Sequence, residues 1–110
     1  MFSEQDKADA IVVLDGAKDV LDRYGWHQGL FGDEEKGYCL VGAARKAAEE
    51  LGLGSGFVFT TPLYFSLVQE AMSRGFSAPT IFNDFGAKNV FEIEDFIDCT
   101  IDRLKEESNA

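Results

Sequence analysis

The sequence is short of the residues from which most sites are built. It has one histidine, two cysteines, two prolines and one tryptophan. With a single imidazole and two thiols far apart in the chain, the ligand spacings of zinc and calcium sites are missing, so no metal and no cofactor are expected. Gly52-Leu53-Gly54-Ser55-Gly56 is glycine-rich but lacks the Gly-Lys-Ser/Thr ending of a phosphate loop, which leaves it a connector. No apolar run approaches the roughly 20 residues needed to span a bilayer. The opening Met1-Phe2-Ser3-Glu4-Gln5-Asp6 is polar and acidic, unlike a signal peptide. The expected compartment is the cytoplasm, where both thiols stay reduced. Basic charge is also scarce: 10 Lys and Arg face 20 Asp and Glu, a formal net charge of −10. That sign opposes binding to nucleic acid or to an anionic membrane, and suits a basic protein partner.

What the chain does have is apolar substance. Of 110 residues, 45% are hydrophobic and ten are Phe. That is enough to pack one core without disulfides or metals. The chain therefore reads as a single small helical domain over residues 1–110, with residues 1–4 and 106–110 fraying.

Hydrophobic spacing predicts about four helices. The first covers 5–24, with Ile11, Leu14, Leu21 and Tyr24 on one stripe and Gly25 as its left-handed stop. Trp26 is expected to fold back on its last turn. Residues 25–37, with four glycines, form a loop or short hairpin whose tip is Asp33–Gly37. A second helix covers 39–51, its small residues Gly42, Ala43, Ala44, Ala47 and Ala48 allowing another element to approach closely. Phe57-Val58-Phe59-Thr60 has the composition of a strand. Thr61-Pro62 opens a third helix running to about Arg74, with Leu63, Leu67, Ala71, Val68 and Met72 inward. Residues 76–88 read as a second irregular stretch. Asn89 with Glu92 resembles a capping box for the last helix, whose inward stripe is Ile93, Phe96, Ile97, Thr100 and Leu104. The fold class is thus mainly α: a compact bundle of about four helices, two Gly-rich irregular loops and one short strand or hairpin.

Three pieces form a recognisable pattern: Gly25-Trp26-His27-Gln28-Gly29, then Cys39-Leu40-Val41-Gly42-Ala43, then Ile81-Phe82-Asn83-Asp84. Over residues 10–104 the chain resembles a family of small bacterial and phage proteins known as domain of unknown function 6197. Its members read Gly-Trp-x-Gln-Gly, Cys-x-x-Gly-Ala and Trp-Asn-Asp. Phe82 stands where the family usually has Trp, which keeps the aromatic bulk and loses the indole N–H. The resemblance implies a compact helical fold in which the two loops and the start of the second helix meet. It brings no activity with it, and it leaves the His27 position variable.

The candidate site residues are Trp26, Gln28, Cys39, Phe82, Asn83 and Asp84. Cys39 stands at a predicted helix start, where backbone N–H groups favour a thiolate. With His27 as base and Asn83 or Asp84 as orienter it would make a nucleophilic set. Packing is the competing role, because free cysteines are among the most buried residues. Cys99, beside the stripe of the last helix, reads as packing. Trp26 reads as a core anchor. Gln28 reads as a tie between its loop and a neighbouring element, and Asn83-Asp84 as turn and cap formers through local bonds. The leading expectation is a non-enzymatic protein-interaction module of a bacterium or phage, accessory or regulatory, with a homodimer as one form of it. The alternatives are a small thiol-dependent enzyme using Cys39 and His27, and an acidic nucleic-acid mimic.

Overall fold

The computed structural model describes residues 3–29, 31–60 and 62–109, with side chains to residue 106. Helix α1 spans Glu4–Tyr24, and Ser3 caps it by accepting the Asp6 N–H. A two-stranded antiparallel hairpin follows, β1 Gly32–Asp33 with β2 Gly37–Tyr38. Helix α2 spans Leu40–Glu50, α3 Leu63–Ser73, α4 Pro79–Ile81 and α5 Val90–Asn109. The core lies where α1 packs on α2 and α5, and α3 on α5. Leu14, Val20, Leu40, Leu67, Phe96 and Leu104 are all sealed from solvent there.

Local rules explain most of these elements. The last stripe is buried as its spacing demands, from Ile93 through Leu104, and Asn89 accepts the Glu92 N–H at 3.0 Å. The hairpin tip is the acidic turn: Asp33 Oδ1 accepts N–H bonds from Glu35 and Lys36. These bonds hold the exposed Asp33 carboxyl below its ordinary range. The small face of α2 does admit a close neighbour, since a Cβ on Gly16 of α1 would stand only 3.1 Å from that of Ala47.

Four expectations fail. Residues 57–60 are not a strand. Ser55–Phe59 form a 3-10 turn, with the Phe57 N–H on the Gly54 carbonyl and the Thr60 N–H on that of Phe57. β-branched and aromatic content favours a strand only beside a free sheet edge, and the hairpin does not pair with this segment. Residues 76–88 are not simply irregular. Pro79 starts α4, and a π-turn, Phe82–Gly86, continues it, closed by the Ala87 N–H on the Phe82 carbonyl. This supplies a fifth helix where about four were expected. Pro62 precedes the first residue of α3 instead of occupying it, and Thr61 lies outside the described residues. Met72 points outward, one position off the Leu63, Leu67 and Ala71 stripe. Of the ends expected to fray, Met1, Phe2 and Ala110 lie outside the described residues, while α5 continues to Asn109. Among the described residues, no helix is long and apolar enough to cross a membrane.

Candidate functional site

The site is built around the way the chain leaves α1. Gly25 has φ +92° with ψ 170°, which turns the backbone into an extended path instead of the left-handed helical cap expected of it. Trp26 therefore runs parallel beside Tyr38, with the His27 N–H on the Tyr38 carbonyl and the Tyr38 N–H on that of Gly25. Trp26 does not end on α1 alone. Its indole N–H reaches the π-turn and donates to Asn83 Oδ1 at 2.8 Å.

Asn83 is fully buried, and its amide has four partners. Oδ1 accepts from Trp26 Nε1 and, at 2.9 Å, from the Leu40 N–H in the first turn of α2. Nδ2 donates to the His27 carbonyl at 3.1 Å and to Asp84 Oδ1 at 2.9 Å. An amide side chain offers two acceptor sites and two donors, so Asn83 is used to capacity. Asp84 Oδ1 also accepts the Gly29 N–H at 2.8 Å. Gln28 Nε2 donates to the carbonyls of Asn83 and Asp84, at 3.3 and 3.1 Å. The two loops and the start of α2 thus meet in one polar clasp. Asn-Asp pairs ordinarily act through local bonds, yet three of the four partners of Asn83 are more than forty residues away. Phe82 anchors the clasp to the core, stacked on Phe96 at 4.8 Å and edge-on to Phe76 at 5.5 Å. Phe fills that place by its ring faces, which need no indole N–H.

Cys39 lies next to the clasp. It is the N-cap of α2, 1% exposed, with Sγ accepting the Gly42 N–H at 3.2 Å. Burial pushes its thiol pKa up, outweighing the helix-terminal N–H groups that lower it. The thiol is therefore neutral near pH 7. Among the described residues, no hydrogen bond joins Cys39 to His27. His27 enters the clasp through its backbone, and its ring lies against Gly29. Cys99 is also free and half-buried, with Arg74 Nη2 at 3.5 Å from its sulfur. Among the described residues, no three His, Cys, Asp or Glu side chains are grouped to hold a metal ion.

This placement fixes how the thiols react. Iodoacetamide at pH 7 will label Cys99 first and Cys39 at least ~10³-fold slower than the same thiol in denaturant, because Cys39 reacts only when the fold opens. Mass spectrometry of a time course reads both rates. Labelling of native Cys39 faster than the denatured thiol would reverse the assignment. The raised pKa also sets a direction with pH. The unfolded thiol ionises first, so stability declines as pH climbs above the ordinary thiol value of 9.0. Tyr38, raised by burial in the same way, adds to that decline above 10.0.

A second feature has no signature in the sequence. A cleft of about 190 Å³ opens between the hairpin and α2, lined by Phe31, Tyr38, Arg45, Lys46, Glu49 and Ser55. The Arg45 guanidinium lies 4.3 Å from the Phe31 ring centroid. Its spacing from Glu49 suggests an ordinary i,i+4 ion pair, so no sequence signal sets it apart. No such pair forms among the described residues.

The sequence model of a family of unknown function (DUF6197) matches residues 6–98, which contain all three motif pieces and the whole clasp. No curated protein and no solved structure matches the chain. The match covers most of the chain, and the chain belongs to that family.

Proposed function

We propose that this member of a family of unknown function is a non-enzymatic module that binds another protein through the exposed rings of Phe85 and Phe91. One observation carries this reading: Phe85 is 81% exposed and Phe91 74% exposed, one in the π-turn and one in the first turn of α5. Single exposed apolar residues are ordinary on a protein surface. Two nearly bare phenyl rings within seven residues are not, since burying each against a partner is worth about 1.5–3 kcal/mol. The motif's polar groups support the same reading, because they are spent on one another. Acidic residues flank the rings: Asp84 before Phe85, then Glu92, Glu94 and Asp95 after Phe91. With a net charge of −10, the fitting partner presents an apolar pocket with a basic rim.

The test is a Phe85→Ser/Phe91→Ser double variant. Both rings are exposed, so the variant unfolds within about 1 kcal/mol of the parent. Bait made from the parent recovers a basic partner from host lysate at physiological salt, and the double variant loses it. Equal recovery by parent and variant refutes the role of the exposed rings. If that equal recovery also collapses steeply with salt, the acidic nucleic-acid mimic is the better reading. Sedimentation of the purified protein tests the homodimer: self-association of the parent that the variant loses would make a second copy of the chain the partner in place of a basic protein.

A further inference from the structure

The cleft beside the hairpin carries an inference independent of the exposed rings. The chain has four arginines, and three are in ion pairs. Arg23 holds Asp19 and Glu50, Arg74 holds Glu70 and Asp95, and Arg103 holds Glu70. Arg45 has no carboxylate within ion-pair reach among the described residues, in a chain with twice as many acids as bases. Its Nε is buried without a hydrogen-bond partner. The Arg45 side chain as a whole is only half-buried and lines the cleft, so it is the rest of the guanidinium, beyond Nε, that a ligand can reach.

The surroundings narrow what that ligand is. Phe31 has φ +41°, the only non-glycine residue with positive φ among those described. Such a residue stores about 1–3 kcal/mol of strain and is held by its surroundings. Here the Phe31 carbonyl accepts the Cys39 N–H and fits against Gly42, while Phe59 packs edge-on to the Phe31 ring at 6.4 Å. The Phe31 ring lies under Arg45 as one wall of the cleft. A guanidinium stacked on a ring keeps its N–H edge free for a planar, two-oxygen acceptor. Lys46 is already tied to Glu34 at 3.1 Å, and Glu49 adds a negative charge to the lining. Among the described residues, one free cation beside one carboxylate suits a monoanion better than phosphate. At about 190 Å³ the cleft is smaller than the ~300–1,000 Å³ typical of drug-sized ligands.

We propose that this cleft binds a small monocarboxylic acid with a flat apolar body, the carboxylate on the Arg45 guanidinium edge and the body between Phe31 and Tyr38. Benzoate is the probe, with benzamide as its neutral counterpart and inorganic phosphate as the competing anion. Titrations of the full chain are followed by the ¹⁵N–¹H signals of Arg45 Nε and the Gly32 and Gly42 amides. Benzoate saturates these shifts with Kd on the order of 1 mM, and benzamide and phosphate bind at least ~10-fold more weakly. Arg45→Met removes the benzoate response. Arg45→Lys, which keeps the charge and loses the planar fork, weakens it at least ~5-fold and remains informative should the Met variant not fold. Equal responses to benzoate and benzamide, tighter binding of phosphate, no response to ~20 mM benzoate, or unchanged affinity in Arg45→Lys would each overturn the proposal.

Discussion

Asn83→Ala will lower stability by about 3–5 kcal/mol, the largest effect expected of any polar substitution in this chain. The side chain removed is fully buried, and its loss strands the Trp26 indole N–H, the Leu40 N–H and the His27 carbonyl together. Each stranded group carries a desolvation penalty of roughly 1–3 kcal/mol, partly relieved if water enters the gap. For a domain of this size that is a third or more of the total stability, and the melting temperature should drop by about 10–20 °C. Asn83→Asp separates hydrogen bonding from packing, because it keeps the shape and Oδ1. It replaces the Nδ2 donor with a carboxylate oxygen aimed at Asp84 Oδ1 and the His27 carbonyl. Burial and the neighbouring carboxylate both raise the pKa of the new group in the folded state. Its folded form holds the proton more tightly than its unfolded form. The variant is therefore most stable in acid and loses stability as pH rises past the ordinary Asp value of about 3.9. Urea denaturation at pH 4 and pH 7 reads the difference. A variant equally stable at both pH values would show that the amide's donor bonds carry no weight.

Gly42→Ala will destabilise by about 3 kcal/mol, although helix propensity alone favours Ala by about 1 kcal/mol. The sign of the effect is the test. A Cβ on Gly42 would overlap the Phe31 carbonyl and crowd its Cα. These are backbone atoms already fixed by the Cys39 N–H bond and by the positive φ of Phe31, so they cannot swing aside. The hairpin must lift from the start of α2, which weakens the Leu40–Asn83 bond and opens the Arg45 cleft. Thermal unfolding gives the magnitude, and hydrogen exchange of the Leu40 and Cys39 amides gives the location. A stabilised Gly42→Ala variant would mean that α2 and the hairpin are further apart than the fold requires.

These two residues show where sequence stops being informative. Gly42 was legible as a place of close approach, because a small residue in a run of alanines says that something comes near. Which element comes near was not legible. Asn83 was visible within a motif, but its expected partners were local. Gln28 was legible as a tie between elements, since a polar side chain among glycines has few other uses, and it does join the two loops. Arg45 was hidden, because its charge and spacing match an ordinary solvated helix face.

The sequence by itself determined the four long or middling helices, the inward stripe of the last one, the Asn89 cap and the acidic hairpin tip. Each of these depends on residues a few positions apart, where periodicity and side-chain capping act directly. In α1, by contrast, the sealed positions include Val13 and Val20 beside the expected Leu14 and Leu21. Tertiary structure alone decided that 57–60 coil into a 3-10 turn, that 79–86 become helix and π-turn, and that Asn83 joins Trp26 to Leu40. It alone left Arg45 without an ion-pair partner among the described residues. Those outcomes depend on groups distant in the chain that meet only once the core has formed, and burial then charges every unpaired donor and acceptor for the water it has lost.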